Sequence, residues 1–91
     1  MSTRMSTSRK VVVVTGASRG MGAAIVRAFR KLDCAVVATS RSIGPSDDAN
    51  LLTVAGDIGD PATARRLIAE GVARFGRIDT LVNNAGIYIG K

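Results

Sequence analysis

Three closely spaced glycines follow a short apolar run near the start of this 91-residue chain. The run is Val11 to Val14, and the eight residues after it are Thr-Gly-Ala-Ser-Arg-Gly-Met-Gly. Four β-branched residues in succession are typical of a strand that is buried on both faces. We therefore expect a strand, a tight turn and a helix start. Such an arrangement binds phosphate groups through backbone N–H groups and the helix dipole.

The glycines Gly16, Gly20 and Gly22 have separate tasks in such a turn. Gly16 lets the chain turn with positive φ, and Gly20 leaves room for a pyrophosphate that a Cβ would push away. Gly22 lets the helix pack closely on the sheet. A P-loop would instead need its second glycine at position 21, followed by Lys and then Ser or Thr. That position is Met21 and no lysine follows it, so the spacing indicates a dinucleotide site.

A second motif, Asn83-Asn84-Ala85-Gly86, follows the apolar pair Leu81-Val82. Together with Thr-Gly-x-x-x-Gly-x-Gly, it resembles the short-chain dehydrogenase/reductase superfamily, which carries Asn-Asn-Ala-Gly behind its fourth strand. The resemblance covers Lys10 to Lys91 and implies an oxidoreductase that transfers hydride between a nicotinamide and an alcohol or ketone carbon. Asn84 is either a cofactor contact or a structural residue. The cofactor contacts expected from the two motifs are Gly16, Ser18, Arg19, Gly20, Met21, Gly22, Asn83, Ala85 and Gly86.

The end of the second predicted strand bears on which dinucleotide binds. NAD-binding folds place an acid about twenty residues beyond the glycines for the ribose 2′-hydroxyl, whereas a 2′-phosphate needs a neutral or basic residue there. Ser40 occupies that position, Arg41 follows it, and Arg19 is a second cation. These residues predict NADP(H), with NAD less favoured. The alternative is that both arginines are solvated surface residues.

Asp57 follows the third predicted strand and Gly56. It matches the family's aspartate that accepts a hydrogen bond from the adenine amino group, and Ile58 is expected beside the adenine ring. The competing interpretation of Asp57 is a surface residue in the loop before a helix cap.

The elements that position these residues alternate between strand and helix. Strands are predicted over 11–14, 35–39, 51–55 and 78–83, and the second helix begins with Asp60-Pro61 and ends at Gly76. The predicted apolar faces are Met21, Ile25, Ala28, Phe29 and Leu32 in the first helix, and Ala64, Leu67, Ile68, Val72 and Phe75 in the second. Right-handed crossovers then give an α/β, Rossmann-like parallel sheet of order 3-2-1-4 with flanking helices, a partial doubly wound domain.

Two connections and one strand have unusual features. Asp33 stands where the family usually has Gly, so it must adopt a left-handed conformation at some cost. The stretch 42–50 is short for a crossover helix, which predicts an irregular or single-turn connection. The fourth strand is expected to be an edge that exposes Leu81, Val82 and Ile87.

Composition limits the other functional classes. The single cysteine, Cys34, rules out an intramolecular disulfide and fits a reducing compartment, so we expect a cytoplasmic protein. There is no histidine to support a zinc site, and no apolar stretch approaches the ~18 residues of a membrane span. The net charge of +6 permits non-specific nucleic-acid binding, but one Tyr and two Phe do not predict specific recognition. Residues 1–9 are expected to be a disordered basic tail before a single domain, 10–91.

The family's catalytic Ser and Tyr-x-x-x-Lys have no match in this sequence. Tyr88 and Lys91 form Tyr-x-x-Lys, which is one residue too short, and we assign neither a catalytic role. We therefore expect the NADP(H)-binding portion of an oxidoreductase, whose small alcohol or ketone substrate binds only in the complete enzyme. The alternative is a catalytically inactive nucleotide-binding or interaction fragment. A small domain with an uncovered strand edge is also expected to self-associate.

Overall fold

A computed structural model of the chain describes residues 9–18 and 20–84. The elements in this part are β1 (Val11–Thr15), α1 (Gly20–Lys31), β2 (Ala35–Ser40), β3 (Leu51–Ala55), α2 (Pro61–Phe75) and β4 (Thr80–Asn83). The strands form a parallel sheet of order β3-β2-β1-β4, which confirms the predicted topology. The residues expected to form the tail lie outside the described residues, apart from Arg9. Within residues 9–18 and 20–84, the two helices have 12 and 15 residues, which is too short to span a bilayer.

The central strand β1 shows why its sequence is apolar throughout. It lies between β2 and β4, and all five of its residues are buried. Successive side chains of a strand point to opposite faces of the sheet. Val12 and Val14 belong to the core cluster that includes Val26 of α1, whereas Val11 and Val13 belong to the cluster that includes Leu67 of α2. A helix layer therefore packs on each face of the sheet, and both faces of β1 are apolar.

The buried face of α1 differs from the predicted one. The residues that are buried or packed against the sheet cluster are Gly22, Ile25, Val26 and Phe29. Met21 and Leu32 are each 72% exposed and Ala28 is also exposed, so their assignment to the apolar face was wrong. The close approach of Gly22 to the turn before it determines which side of the helix faces the sheet, and Met21 lies away from that side, whereas Leu32 follows the last residue of α1.

The second helix begins and ends as the sequence predicts. Asp60 is the N-cap residue, and its carboxylate accepts a hydrogen bond from the Ala62 N–H at 2.9 Å. Pro61 follows as the first helical residue, where its missing N–H has no cost. Gly76 ends the helix with φ 86°, a left-handed conformation that glycine adopts without a steric penalty.

The buried row of α2 is only partly the predicted one. Its buried residues follow an i, i+4 spacing and are Thr63, Leu67, Gly71 and Phe75. Ile68 and Val72 are 46% and 44% exposed, so their assignment to the buried face was wrong. A Cβ on Gly71 would lie 3.0 Å from the Ile78 side chain and 3.1 Å from the Val37 side chain, so α2 packs closely at this small residue, and Ile68 and Val72 lie away from that face.

The connection between β2 and β3, which we call the crossover, comprises residues 41–50 and contains no helix, as predicted. Near its end, Arg30 of α1 donates two hydrogen bonds to the Asp48 carboxylate, at 2.7 and 3.2 Å. Near its start, Ile43 packs against the core cluster on the α1 side of the sheet. Before β2, Asp33 has φ 63°, which confirms the left-handed conformation predicted there.

Strand β4 is shorter than predicted because of Asp79. The Asp79 carboxylate accepts a hydrogen bond from the Val11 N–H at 2.8 Å, so a side chain replaces the main-chain partner that a longer β4 would supply. The pairing of β4 with β1 begins at Thr80. Leu81 is 62% exposed, as expected for an edge, whereas Val82 is half-buried against the α1-side cluster. Ile87 lies outside the described residues.

Two carboxylates give the fold a dependence on acid pH. The hydrogen bond from Arg30 lowers the pKa of Asp48 below its ordinary value of 3.8, and the hydrogen bond from Arg77 does the same to the pKa of Asp79. The unfolded chain therefore binds protons at these sites more readily than the folded chain. Their contribution to stability is complete above the unfolded pKa and is lost as the pH falls through the lower folded values.

We expect the Tm of the chain to be nearly constant from pH 6 to about 4 and to fall below about pH 4. Asp48→Asn should reduce the slope of that fall, because it removes one of the two carboxylates. Circular dichroism melts at a series of pH values measure the slope. Asp47→Asn is the matched control, since Asp47 is an exposed neighbour in the same crossover. Equal acid slopes for Asp48→Asn and Asp47→Asn would contradict the assignment.

Candidate functional site

A cleft of about 480 Å³ opens at the carboxyl ends of β1, β2 and β3. We call it the strand-end cleft. Parallel strands end at the same edge of a sheet, so the loops that follow them meet there. Its lining residues are Gly16, Ser18, Thr39, Ser40, Arg41, Ser42, Gly56, Asp57, Ile58 and Gly59. The structure thus brings together six of the expected site residues, namely Gly16, Ser18, Ser40, Arg41, Asp57 and Ile58.

The glycine turn forms one wall of this cleft. Gly16 has φ 62°, which confirms the positive φ predicted for it, and Gly20 has the same value. The Ala17 N–H donates to the Thr39 carbonyl at 3.1 Å, so the main-chain bonding between β1 and β2 continues into the turn. A Cβ placed on Gly20 would meet no described atom within 4 Å. Among the described residues, the space beside Gly20 at the start of α1 is therefore unfilled.

Two asparagines connect β4 to the glycine turn. The Asn84 side-chain amide donates to the Gly16 carbonyl oxygen at 3.1 Å, and a Cβ on Gly22 would lie 1.8 Å from that same oxygen. The Thr15 hydroxyl donates to Asn83 Oδ1 at 2.9 Å. Of the two roles left open for Asn84, the structure shows the structural one. The Thr15–Asn83 bond was not anticipated, although both residues stand at the ends of neighbouring strands and pair in register.

The electrostatic character of the cleft is suited to an anion. The first N–H groups of a helix lack intrahelical partners and carry a partial positive charge, and α1 has no acidic residue in its first turn. Arg41 is exposed, and it forms no ion pair within the described part of the chain. Asp57 is the acidic residue of the lining, and its Oδ1 already accepts the Gly59 N–H at 2.9 Å.

Thr39 is a lining residue that the sequence analysis missed. Its hydroxyl oxygen is buried, and it has no hydrogen-bond partner among the described residues. The residue as a whole is fully buried, so its contribution to the cleft wall is one of packing. Thr39 and Ser42 flank the Ser40-Arg41 pair. The position of Thr39 at the end of the central strand β2 was the signal that could have found it, whereas Ser42 follows the strand in the crossover.

The remaining expected residues fall into two groups. Met21 and Gly22 stand in the first turn of α1, where Met21 is 72% exposed, and Asn83 ends β4. Arg19, Ala85 and Gly86 lie outside the described residues, as do Tyr88 and Lys91. Gly56 and Gly59, which the sequence analysis did not assign, line the cleft beside Asp57.

The glycine turn, the Asn-Asn pair and the parallel sheet occur together in known proteins. The sequence profile of the short chain dehydrogenase family matches residues 10–91. The chain belongs to the short-chain dehydrogenase/reductase family. Members of this family bind a nicotinamide dinucleotide in a Rossmann-like domain, which agrees with the location of the strand-end cleft.

Individual members of the family are similar over most of this chain. L-fucose dehydrogenase of Rattus norvegicus is 45% identical over 86 residues, which make up 89% of this chain and 32% of that protein. An uncharacterized oxidoreductase of Methylorubrum extorquens is 44% identical over 89 residues, or 87% of this chain and 36% of that protein. The structure of a short-chain dehydrogenase/reductase from Serratia marcescens matches with a TM-score of 0.75 and 38% identity, covering 88% of this chain and 37% of the other. The chain thus spans about a third of the length of these relatives.

Proposed function

We propose that this chain is the NADP(H)-binding part of a short-chain oxidoreductase that transfers hydride between a nicotinamide and an alcohol or ketone carbon. One observation carries the choice of NADP(H). Ser40 stands where an NAD-binding site has a carboxylate. Arg41 beside it lines the same cleft and forms no ion pair with the described part of the chain.

The parts of the cofactor follow from the positions of the lining residues. The N-terminus of α1 binds the pyrophosphate. Gly20, its first residue, has no Cβ to obstruct the phosphate groups. Arg41 and Ser40 take the 2′-phosphate, with Arg19 as a second cation. Asp57 retains acceptor capacity beyond its bond to Gly59 and takes the adenine amino group beside Ile58.

The nicotinamide end of the cofactor is assigned to the loop that follows β4. Asn83, Ala85 and Gly86 are proposed to line the adjoining ribose. When bound, the cofactor supplies the hydride chemistry, and these residues orient it. The family's catalytic Ser and Tyr-x-x-x-Lys have no match in these 91 residues, so binding is the activity to measure with this chain.

The geometry also fits a bound group of this size and charge. The volume of about 480 Å³ accommodates an adenosine moiety.

Calorimetric titration with NADPH and NADH tests the proposal. We expect NADPH to bind at least ~10-fold more tightly, because a charge-assisted contact from Arg41 to the 2′-phosphate contributes about 1.5–3 kcal/mol. The difference should shrink as salt rises from about 0.05 to 0.5 M, since the contact is exposed to solvent. Equal affinities, or tighter binding of NADH, would rule out the proposed cofactor.

A further inference from the structure

Arg66 of α2 contacts the end of β3 from outside the strand-end cleft. Its guanidinium donates a hydrogen bond to the carbonyl oxygen of Ala55, the last residue of β3. Arg66 is not a lining residue of the cleft, whereas the three residues that follow Ala55 in the chain, 56–58, all line it. Arg66 was not among the site residues expected from the sequence.

The Ala55 carbonyl needs such a partner because of its position in the sheet. Strand β3 lies at the edge of the described sheet and pairs with β2 alone. The Gly56 N–H points toward β2, where it donates to the Ser40 carbonyl at 3.1 Å. The Ala55 carbonyl belongs to the same planar peptide unit, so it points the opposite way, toward the free side of the strand. Arg66 therefore takes the place of a neighbouring strand at this carbonyl.

The loop that follows β3 is a compact turn whose direction depends on this peptide unit. The Asp57 carboxylate accepts a hydrogen bond from the Gly59 N–H at 2.9 Å, and the Asp57 carbonyl accepts one from the Asp60 N–H, also at 2.9 Å. These bonds tie residues 57–60 to one another. The peptide unit between Ala55 and Gly56 joins them to the sheet, so its orientation sets where the Asp57 side chain stands in the cleft.

Two side chains of α2 hold that peptide unit in place. A Cβ on Gly56 would lie 2.7 Å from the Thr63 hydroxyl and 3.2 Å from Arg66 Nη2, so both side chains pack against Gly56. Glu70 lies one turn after Arg66, with 3.6 Å between Arg66 Nε and Glu70 Oε2. This ion pair is exposed and adds little stability, but it limits the directions that the guanidinium can take.

We propose that Arg66 is a positioning residue that holds Asp57 where it can accept a hydrogen bond from the adenine amino group. This inference rests on the proposed function, which assigns the adenine to Asp57. A contact group whose backbone is already fixed loses less entropy on binding and stays close to the geometry that the ligand needs. Arg66 therefore acts on the recognition of adenine without touching the cofactor.

The test uses two ligands that differ only in the amino group of the base, adenosine 5′-monophosphate and purine riboside 5′-monophosphate. We expect the wild-type chain to bind the adenosine ligand ~10-fold more tightly, and Arg66→Ala to reduce this preference to about 3-fold or less. A smaller folded fraction weakens both ligands equally, so the ratio of the two dissociation constants separates positioning from stability. Calorimetry measures both constants.

Arg65→Ala is the matched control, because it removes the same charge from the neighbouring exposed position of α2. It should keep the wild-type preference. In an Asp57→Ala background, Arg66→Ala should change the preference no further, since the two residues act through one contact.

Two results would overturn the role of Arg66 while the wild-type preference still supports Asp57 at the adenine. They are an unchanged preference in Arg66→Ala and an equal loss of preference in Arg65→Ala. A wild-type chain that binds the two ligands equally would overturn the adenine assignment of the proposed function and this inference with it.

Discussion

Gly22→Ala is expected to lower the free energy of unfolding by about 3 kcal/mol or more. The new methyl group would lie 1.8 Å from the Gly16 carbonyl oxygen and 2.8 Å from Asn84 Nδ2. The Gly16 carbonyl belongs to the backbone and cannot change rotamer as a side chain can. To relieve the contact, α1 must move away from the sheet or the glycine turn must change its conformation. Small domains have a total stability of about 5–15 kcal/mol, and this loss is a large part of it. Urea unfolding followed by circular dichroism measures the change.

Two other glycines provide matched controls for this prediction. A Cβ on Gly44 would meet nothing within 4 Å, and Gly44 has no positive φ, so Gly44→Ala should be neutral or stabilise by up to about 1 kcal/mol. Gly20→Ala also has free space, but its φ of 62° predicts a loss of about 1–2 kcal/mol. We expect Gly22→Ala to be the least stable of the three. Equal urea midpoints for Gly22→Ala and Gly44→Ala would contradict the close contact.

Arg41→Ala is expected to weaken NADPH binding by about 10- to 100-fold while NADH binding changes little. Arg41 lines the strand-end cleft beside Ser40, and its guanidinium is suited to a phosphate group. NADH has a hydroxyl in place of the 2′-phosphate, so it has no comparable contact to lose. The ratio of the two dissociation constants from calorimetry is the decisive quantity.

The control for Arg41→Ala is Arg65→Ala, which removes the same charge from an exposed position on α2. A reduction in overall positive charge alone would affect both variants alike. We expect Arg65→Ala to leave the ratio of NADPH to NADH affinity as in the wild type. A similar decrease of that ratio in both variants would mean that Arg41 acts through net charge rather than through a contact.

The sequence was sufficient to predict the elements and their order. The apolar runs at Val11 and Ala35 mark buried parallel strands because they lack the alternation of half-buried ones. Asp60-Pro61 and Gly76 mark the ends of α2 because capping chemistry is local. The glycine spacing also located the turn correctly. These signals concern neighbours in the chain, so no long-range information is needed to interpret them.

The rotation of each helix was decided by tertiary contacts. The sequence pattern favoured the largest apolar residues, yet Met21, Ile68 and Val72 are exposed. The helices instead turn the small residues Gly22 and Gly71 toward the sheet. The backbone of α1 can then approach the Gly16 carbonyl closely, and the backbone of α2 can approach the Val37 side chain. The periodicity of apolar residues indicates that a helix has a buried face. The rotation of the helix about its axis depends on which residue permits the closest packing against the sheet.

Within the candidate site, the sequence determined the chemistry of each position and the tertiary structure determined which positions meet. Ser40, Arg41 and Asp57 could be assigned because each follows a predicted strand, and parallel strands end together. The contacts of Asn84 with Gly16 and of Ser42 with Ser18 join residues 68 and 24 positions apart in the chain. Such contacts depend on strand register and on how far a loop folds back, and both follow from the packing of the whole sheet against its helices.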